Sequence, residues 1–257
     1  MSVIQINSSY QLSRLDTATI ASIPTAQWNA LTTDILTGLS TAQVSALSPD
    51  QIRATNQAQL QAMTTSLLAN LSTQQVNAFS LAQVQELSID QLGMLTNLDI
   101  QALDPGVIQN LSSNTLTNLK TDQLAALTQS EWSNFNSAQI RALTTLQIQS
   151  LGSAALSSIN DSSITGLTTA DIRALSTAQL QAFLTDQMGQ LSVAQVQAMS
   201  VKQLQSLSSA SFTSLATNVI AALSSVQIAG LNQLDICLLY TSPSPRDRTR
   251  SRMPSSA

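Results

Sequence analysis

The sequence predicts an all-α solenoid, a superhelix of very short capped helices with one helix per eight residues. Three observations carry this expectation. The chain repeats an octapeptide without interruption, the repeat contains helix-start chemistry once per period, and eight residues suit neither one long helix nor, in this composition, a sheet. Stepping by eight from Leu15 gives Leu15, Ile23, Leu31, Leu39, Leu47 and so on to Leu231. Of these 28 positions 20 are Leu, and only Thr55 is not apolar. With Leu15 as position one, position six runs Ile20, Trp28, Leu36, Val44, Ile52 to Ile236, and all 28 are apolar. A fixed period of this kind is the mark of a repeat architecture.

The period decides what the repeat can form. In one continuous helix eight residues turn through about 800°, so the apolar stripe would drift by about 80° per repeat and no face could be buried. A heptad coiled coil fails for the same reason. In a strand an even period keeps position one on one face and position six on the other. A β-solenoid is therefore the alternative. Abundant Ala, Gln and Leu, four Phe and only seven Gly over the whole chain disfavour it.

Residues 1–14 form an N-terminal segment. Its opening, Met1-Ser-Val-Ile-Gln-Ile, lacks the basic-then-apolar pattern of a signal segment, and Asn7 to Arg14 is a degenerate first repeat. Residues 15–236 form the array. Position two is Ser, Thr, Asp or Asn in 23 of 28 repeats, and position five, three residues on, is Gln in 15. Ser/Thr-x-x-Gln is a capping box, in which the hydroxyl accepts from the N3 amide and the Gln side chain accepts from the cap N–H. Pro49 and Pro105 fall at position three, the first helical residue, where a missing N–H costs nothing. Asp34, Asp50, Asp90, Asp122 and Asp186 fall at position four, in the first turn, where the helix dipole favours an anion.

Five repeats have no strong cap former at position two: Pro24, Lys120, Gly152, Leu184 and Ala216. Each has a hydroxyl next to it, at Thr25, Thr121, Ser153, Thr185 and Thr217, which is expected to cap instead. Asn or Gly at position eight suits a left-handed terminating residue. Ala at positions four and eight is expected to form a small edge where layers approach. Gln rather than Glu at position five avoids a column of like charge along the array. Helices this short are not stable alone, so stacked neighbours must hold them.

The composition changes abruptly at Cys237. The segment from Cys237 to Asp247, then Arg248, Thr249 and Arg250, then Ser251 to Ala257, resembles the conceptual translation of a transposase-type sequencing adapter with a three-codon index. That resemblance implies that 237–257 is not native, is disordered, and that the array is truncated at its C-terminal end. Without it, residues 1–236 hold six basic and thirteen acidic residues, a net charge of −7.

This arithmetic excludes several function classes. The chain has no His and one Cys, so imidazole bases, His metal ligands and internal disulfides are ruled out, and thiolate zinc sites with them. Sparse Lys and Arg argue against nucleic acid as a partner. No run of about 20 apolar residues would span a membrane. No catalytic residue, cofactor or metal is expected, and the chain is not expected to be an enzyme.

Arg53, Arg141 and Arg173 share position seven and are the candidate partner contacts, with a solvated face as the bland alternative. Trp28 and Trp132 at position six, and Phe79, Phe135 and Phe183 at position one, are expected in the core. Asp99, Glu131, Asp171 and Asp235 replace the Gln at position five and are expected to cap. The Thr column at position three is expected to serve as backup capping.

Leu39-Ser-Thr-Ala-Gln-Val-Ser-Ala46 and Leu167-Thr-Thr-Ala-Asp-Ile-Arg-Ala174 resemble the units of large bacterial proteins built from Leu-Thr-Thr-Ala-Gln-Val/Ile-type octapeptides. The resemblance covers residues 15–236. It implies a surface or secreted protein, and low Lys with high Ser, Thr and Gln suits that setting. The expected role is a non-enzymatic structural or interaction array within a larger protein. The alternative is a recognition scaffold for a protein or a carbohydrate polymer, contacting it through positions three, four and seven.

Overall fold

The computed structural model describes residues 5–231. Among them are 27 α-helices and one 3-10 helix, Asp161–Gly166, and no strand. The fold is all-α, with one short helix per octapeptide and the first, Ser9–Ser13, in the degenerate opening repeat. The segment 237–257 and Asp235 lie outside the described residues.

Helix Pro49–Ala54 shows the local logic. Ser48 is extended (φ −70°, ψ 154°), and its hydroxyl accepts from the Gln51 N–H at 3.2 Å. The Gln51 Oε1 accepts from the Ser48 N–H at 2.8 Å, which completes the capping box. Pro49 occupies the first helical position and Asp50 the first turn. At the other end Thr55 is extended (φ −63°, ψ 121°), and its N–H closes a tight turn onto the Ile52 carbonyl at 3.1 Å. Two extended residues, positions one and two, thus join each helix to the next.

Three expectations are corrected here. No described residue has a positive φ, so position eight does not end helices in the left-handed conformation. Position one ends them by extending, which closes the tight turn and directs its side chain to the core. The backup hydroxyls do not take over capping. Helices still follow Pro24, Lys120, Gly152, Leu184 and Ala216, with no side-chain cap bond, and Thr25, Thr121, Ser153, Thr185 and Thr217 are first helical residues. Burial of positions one and six fixes the register, and a cap shifted by one residue would break it. At Lys120 and Leu184 the Gln half of the box survives alone, with Gln123 and Gln187 accepting from the cap N–H. Finally, position four is exposed in every described repeat and forms no small edge. The close approach occurs at position eight, where a Cβ on Gly38 would collide with the Ser9 carbonyl and one on Gly166 with the Ser137 carbonyl.

The described chain divides into two compact units. One holds the residues up to Phe135 together with Ala142–Leu151, and the other Asn136–Arg141 together with the residues from Gly152 on. Within each unit a helix packs on the one three repeats further along. Thr25–Ala30 lies on Pro49–Ala54 in the first unit, and Thr185–Gly189 on Ser209–Ser214 in the second. Positions one and six fill the interior of each unit. Trp28, Trp132, Phe79, Phe135 and Phe183 are buried core residues as expected.

Candidate functional site

The most heavily used polar side chain is the Gln of position five, and it is buried. Its Oε1 and backbone N–H complete the capping box, which leaves two amide donors. In Gln51 the Nε2 donates to the carbonyls of Ile20 at 2.8 Å and Ile23 at 2.9 Å, 31 and 28 residues back. Those carbonyls close a helix one superhelical turn below, and the Ile20 carbonyl takes this bond in addition to the one from the Ile23 N–H of its own tight turn. At least twelve repeats donate to the carbonyl 31 residues back in this way. The return interval places the turn at between three and four repeats within each unit. One residue type therefore closes the start of its own helix and the end of the helix beneath it.

Position seven makes a second, outer connection. Asn77 Nδ2 donates to the Ala102 carbonyl at 2.7 Å, and Gln181 Nε2 to the Ser206 carbonyl at 2.8 Å, each 25 residues ahead. At least nine repeats share the pattern. Much of position seven is therefore committed to holding layers together. The backbone carbonyls of Ser9 and Ser137, at position three, meet the position-eight glycines of the turn above, while position-three side chains are exposed in most described repeats. Position four, exposed in every described repeat, and much of position three are left to solvent.

The arginines depart from this pattern. Arg53, in the last turn of its helix, directs Nη1 to Asp50 Oδ1 at 3.0 Å, with both side chains exposed. Such a pair contributes at most about 1 kcal/mol. Beside it opens a groove of about 540 Å³, lined by Pro49, Arg53, Asn77, Gln101, Leu103 and Pro105 among others. Arg141 and Arg173 are exposed, four repeats apart, in the second unit, whereas Arg53 is in the first.

The carboxylates at position five cap, as expected. Asp99 Oδ2 accepts from the Thr96 N–H at 2.8 Å, Glu131 Oε2 from that of Thr128 at 2.6 Å, and Asp171 Oδ2 from that of Thr168 at 2.8 Å. They are buried, and a carboxylate has no N–H for the carbonyls of the turn below.

Two features eluded the sequence. The first is the reach of the Gln side chain to the turn below. The preference for Gln over Glu was its signal, since both close a capping box and only Gln has donors to spare. The second is Thr55, the one polar residue at position one. Its hydroxyl accepts from the Trp28 indole N–H at 2.9 Å and donates to the Gln51 carbonyl at 2.9 Å. The buried Trp132 indole nitrogen has no hydrogen-bond partner.

Among the described residues no group of three or more His, Cys, Asp or Glu is placed to hold a metal ion, and no helix is long and apolar enough to cross a membrane. No characterised protein matches the chain. Residues 164–201 match the family described as the ALTTAQ repeat, and the chain is a repeat protein.

Proposed function

We propose that the chain is a non-enzymatic structural array, a spacer or adhesive part of a larger secreted or surface protein. One observation carries this. The recurring polar side chain of the repeat, Gln at position five, spends its acceptor on capping its own helix and both donors on the helix beneath. The repeated chemistry is consumed by architecture, and each octapeptide adds one more identical step. Deleting four whole repeats, residues 55–86, tests it. An array of interchangeable steps stays folded and helical by circular dichroism, and its urea transition stays single. Loss of helix, or hydrolytic turnover by the intact chain on ester, peptide or glycoside substrates, refutes the reading.

The groove beside Arg53 favours a second reading, a recognition scaffold for a protein or a carbohydrate polymer. On this reading Arg53, Arg141 and Arg173 contact the partner. Their joint replacement by Ala would then abolish capture of that partner without changing the helical spectrum.

A further inference from the structure

The Gln clamp fails for one whole turn of the first unit. Gln75, Gln83 and Gln91 each donate to carbonyls 31 and 28 residues back. The next three repeats carry Asp99, Val107 and Thr115 at that position, and Gln123 resumes the pattern. The carbonyls at the clamp register are those of Leu68 and Leu71, Val76 and Phe79, and Val84 and Leu87. Three successive position-five side chains therefore offer them no amide.

The helices do stack there. Thr73–Asn77 packs on Asn97–Ala102, and Leu81–Gln85 on Pro105–Gln109. The side-chain hydrogen bonds left across this layer include the outer pair, Asn77 to the Ala102 carbonyl and Gln85 to the Asn110 carbonyl, and both are exposed to competing water. Other features weaken the same turn. Helix Pro105–Gln109 contains Gly106, and its cap Asp104 bonds the Gly106 N–H two residues on rather than the N–H three residues on. One large apolar side chain, Leu98, is exposed within it.

From these we infer that residues 95–118 form a yielding joint, a turn of the first unit that opens before the clamped turn 71–94 beneath it. Repeat arrays are held by nearest-neighbour interfaces, so the weakest interface sets where the array parts. Opening here uncovers Ile100, Leu103, Ile108 and Leu116, all buried in the closed array. The joint gives the first unit a place to yield under tension without losing the turns below it, and Ala155, Ser163 and Asp171 are a second run of three position-five residues without Gln.

Native-state hydrogen exchange on the full chain tests this. Helical amides within 95–118 are expected to exchange about tenfold or more faster than those within 71–94. Equal or slower exchange overturns the joint. The triple substitution Asp99→Gln, Val107→Gln and Thr115→Gln restores the clamp and is expected to slow exchange across 95–118 by about tenfold, with no change at 187–203. Asp99→Gln alone keeps the test open if the triple variant does not fold, and it is expected to give a slowing of about threefold. No slowing in a folded variant overturns the clamp as the cause.

Discussion

Repeats 119–126 and 127–134 are neighbours in which position five accepts from the N–H of an extended cap residue, and they make different bonds to the turn below. In the first, Gln123 accepts from the Lys120 N–H at 2.9 Å and donates to the Leu92 and Leu95 carbonyls at 2.8 and 2.7 Å. In the second, Glu131 accepts from the Thr128 N–H and hydroxyl at 2.6 and 2.8 Å, and has nothing to donate. The second repeat also buries Trp132, whose indole N–H is unpaired and whose ring lies 4.8 Å from that of Phe135. Capping and clamping are therefore separable. Either Gln or Glu starts a helix, and only Gln fastens it to the layer beneath.

The largest expected effect comes from removing the clamp. Gln123→Leu removes the side-chain bonds to the Leu92 and Leu95 carbonyls and the acceptor of the Lys120 N–H, and should cost about 2–4 kcal/mol in urea unfolding. A loss below about 0.5 kcal/mol would break the comparison. Adding the clamp to the neighbour sharpens it, since Glu131→Gln removes a buried charge and supplies two donors. A gain of about 1–2 kcal/mol in the same measurement is expected. The two tryptophans divide the indole from its bond. Trp28→Phe strands Thr55 and should cost about 1–2 kcal/mol more than Trp132→Phe, where no hydrogen bond is lost. Loss of the cap alone, by Thr128→Ala, should cost about 1 kcal/mol and leave the stacking intact.

The smallest effect is a pH response at the first full repeat. Asp16 accepts from the Thr19 N–H at 2.6 Å, and that bond, with the Thr19 hydroxyl, holds its carboxyl below the usual carboxylate range. A lowered native value means the cap contributes fully above the unfolded-state value and is lost as pH falls through the native one. Thr19 N–H protection should therefore fall on acidification from about pH 5 to about pH 2. In Asp16→Asn it should be flat over that window.

Much of the fold was legible because its determinants are local. The period is visible in Leu15 to Leu231, the caps in Ser48-Pro49-Asp50-Gln51, and the core in Trp28 and Phe135. What joins one turn to the next was not legible, because it depends on a return interval of 28–31 residues that no local pattern states. For that reason Gln51 read as a cap alone and Thr55 as an unexplained exception. The expected left-handed ends and, in part, the Ala edge failed for a related reason. The first treated position eight as the end of an isolated helix, whereas it contacts Ser9 or Ser137 of another turn, and the second held at position eight but failed at position four, which faces solvent. The arginines read as a stripe because they share position seven. In the structure Arg53 turns to Asp50, while Asn77 and Gln181 at the same position bind main-chain carbonyls of the turn above.

The backward direction of the Gln amide has a consequence for how such a chain is built. Each arriving octapeptide that carries the position-five Gln brings its own donors and finds acceptors already in place 28 and 31 residues earlier. A nascent or emerging segment can thus be locked from its N-terminal side as soon as about thirty residues have passed. Contacts of such limited sequence separation favour quick, zipper-like growth with no need to wait for a distant end. The molecule has an intrinsic growth polarity, written into a side chain that looks back and never forward.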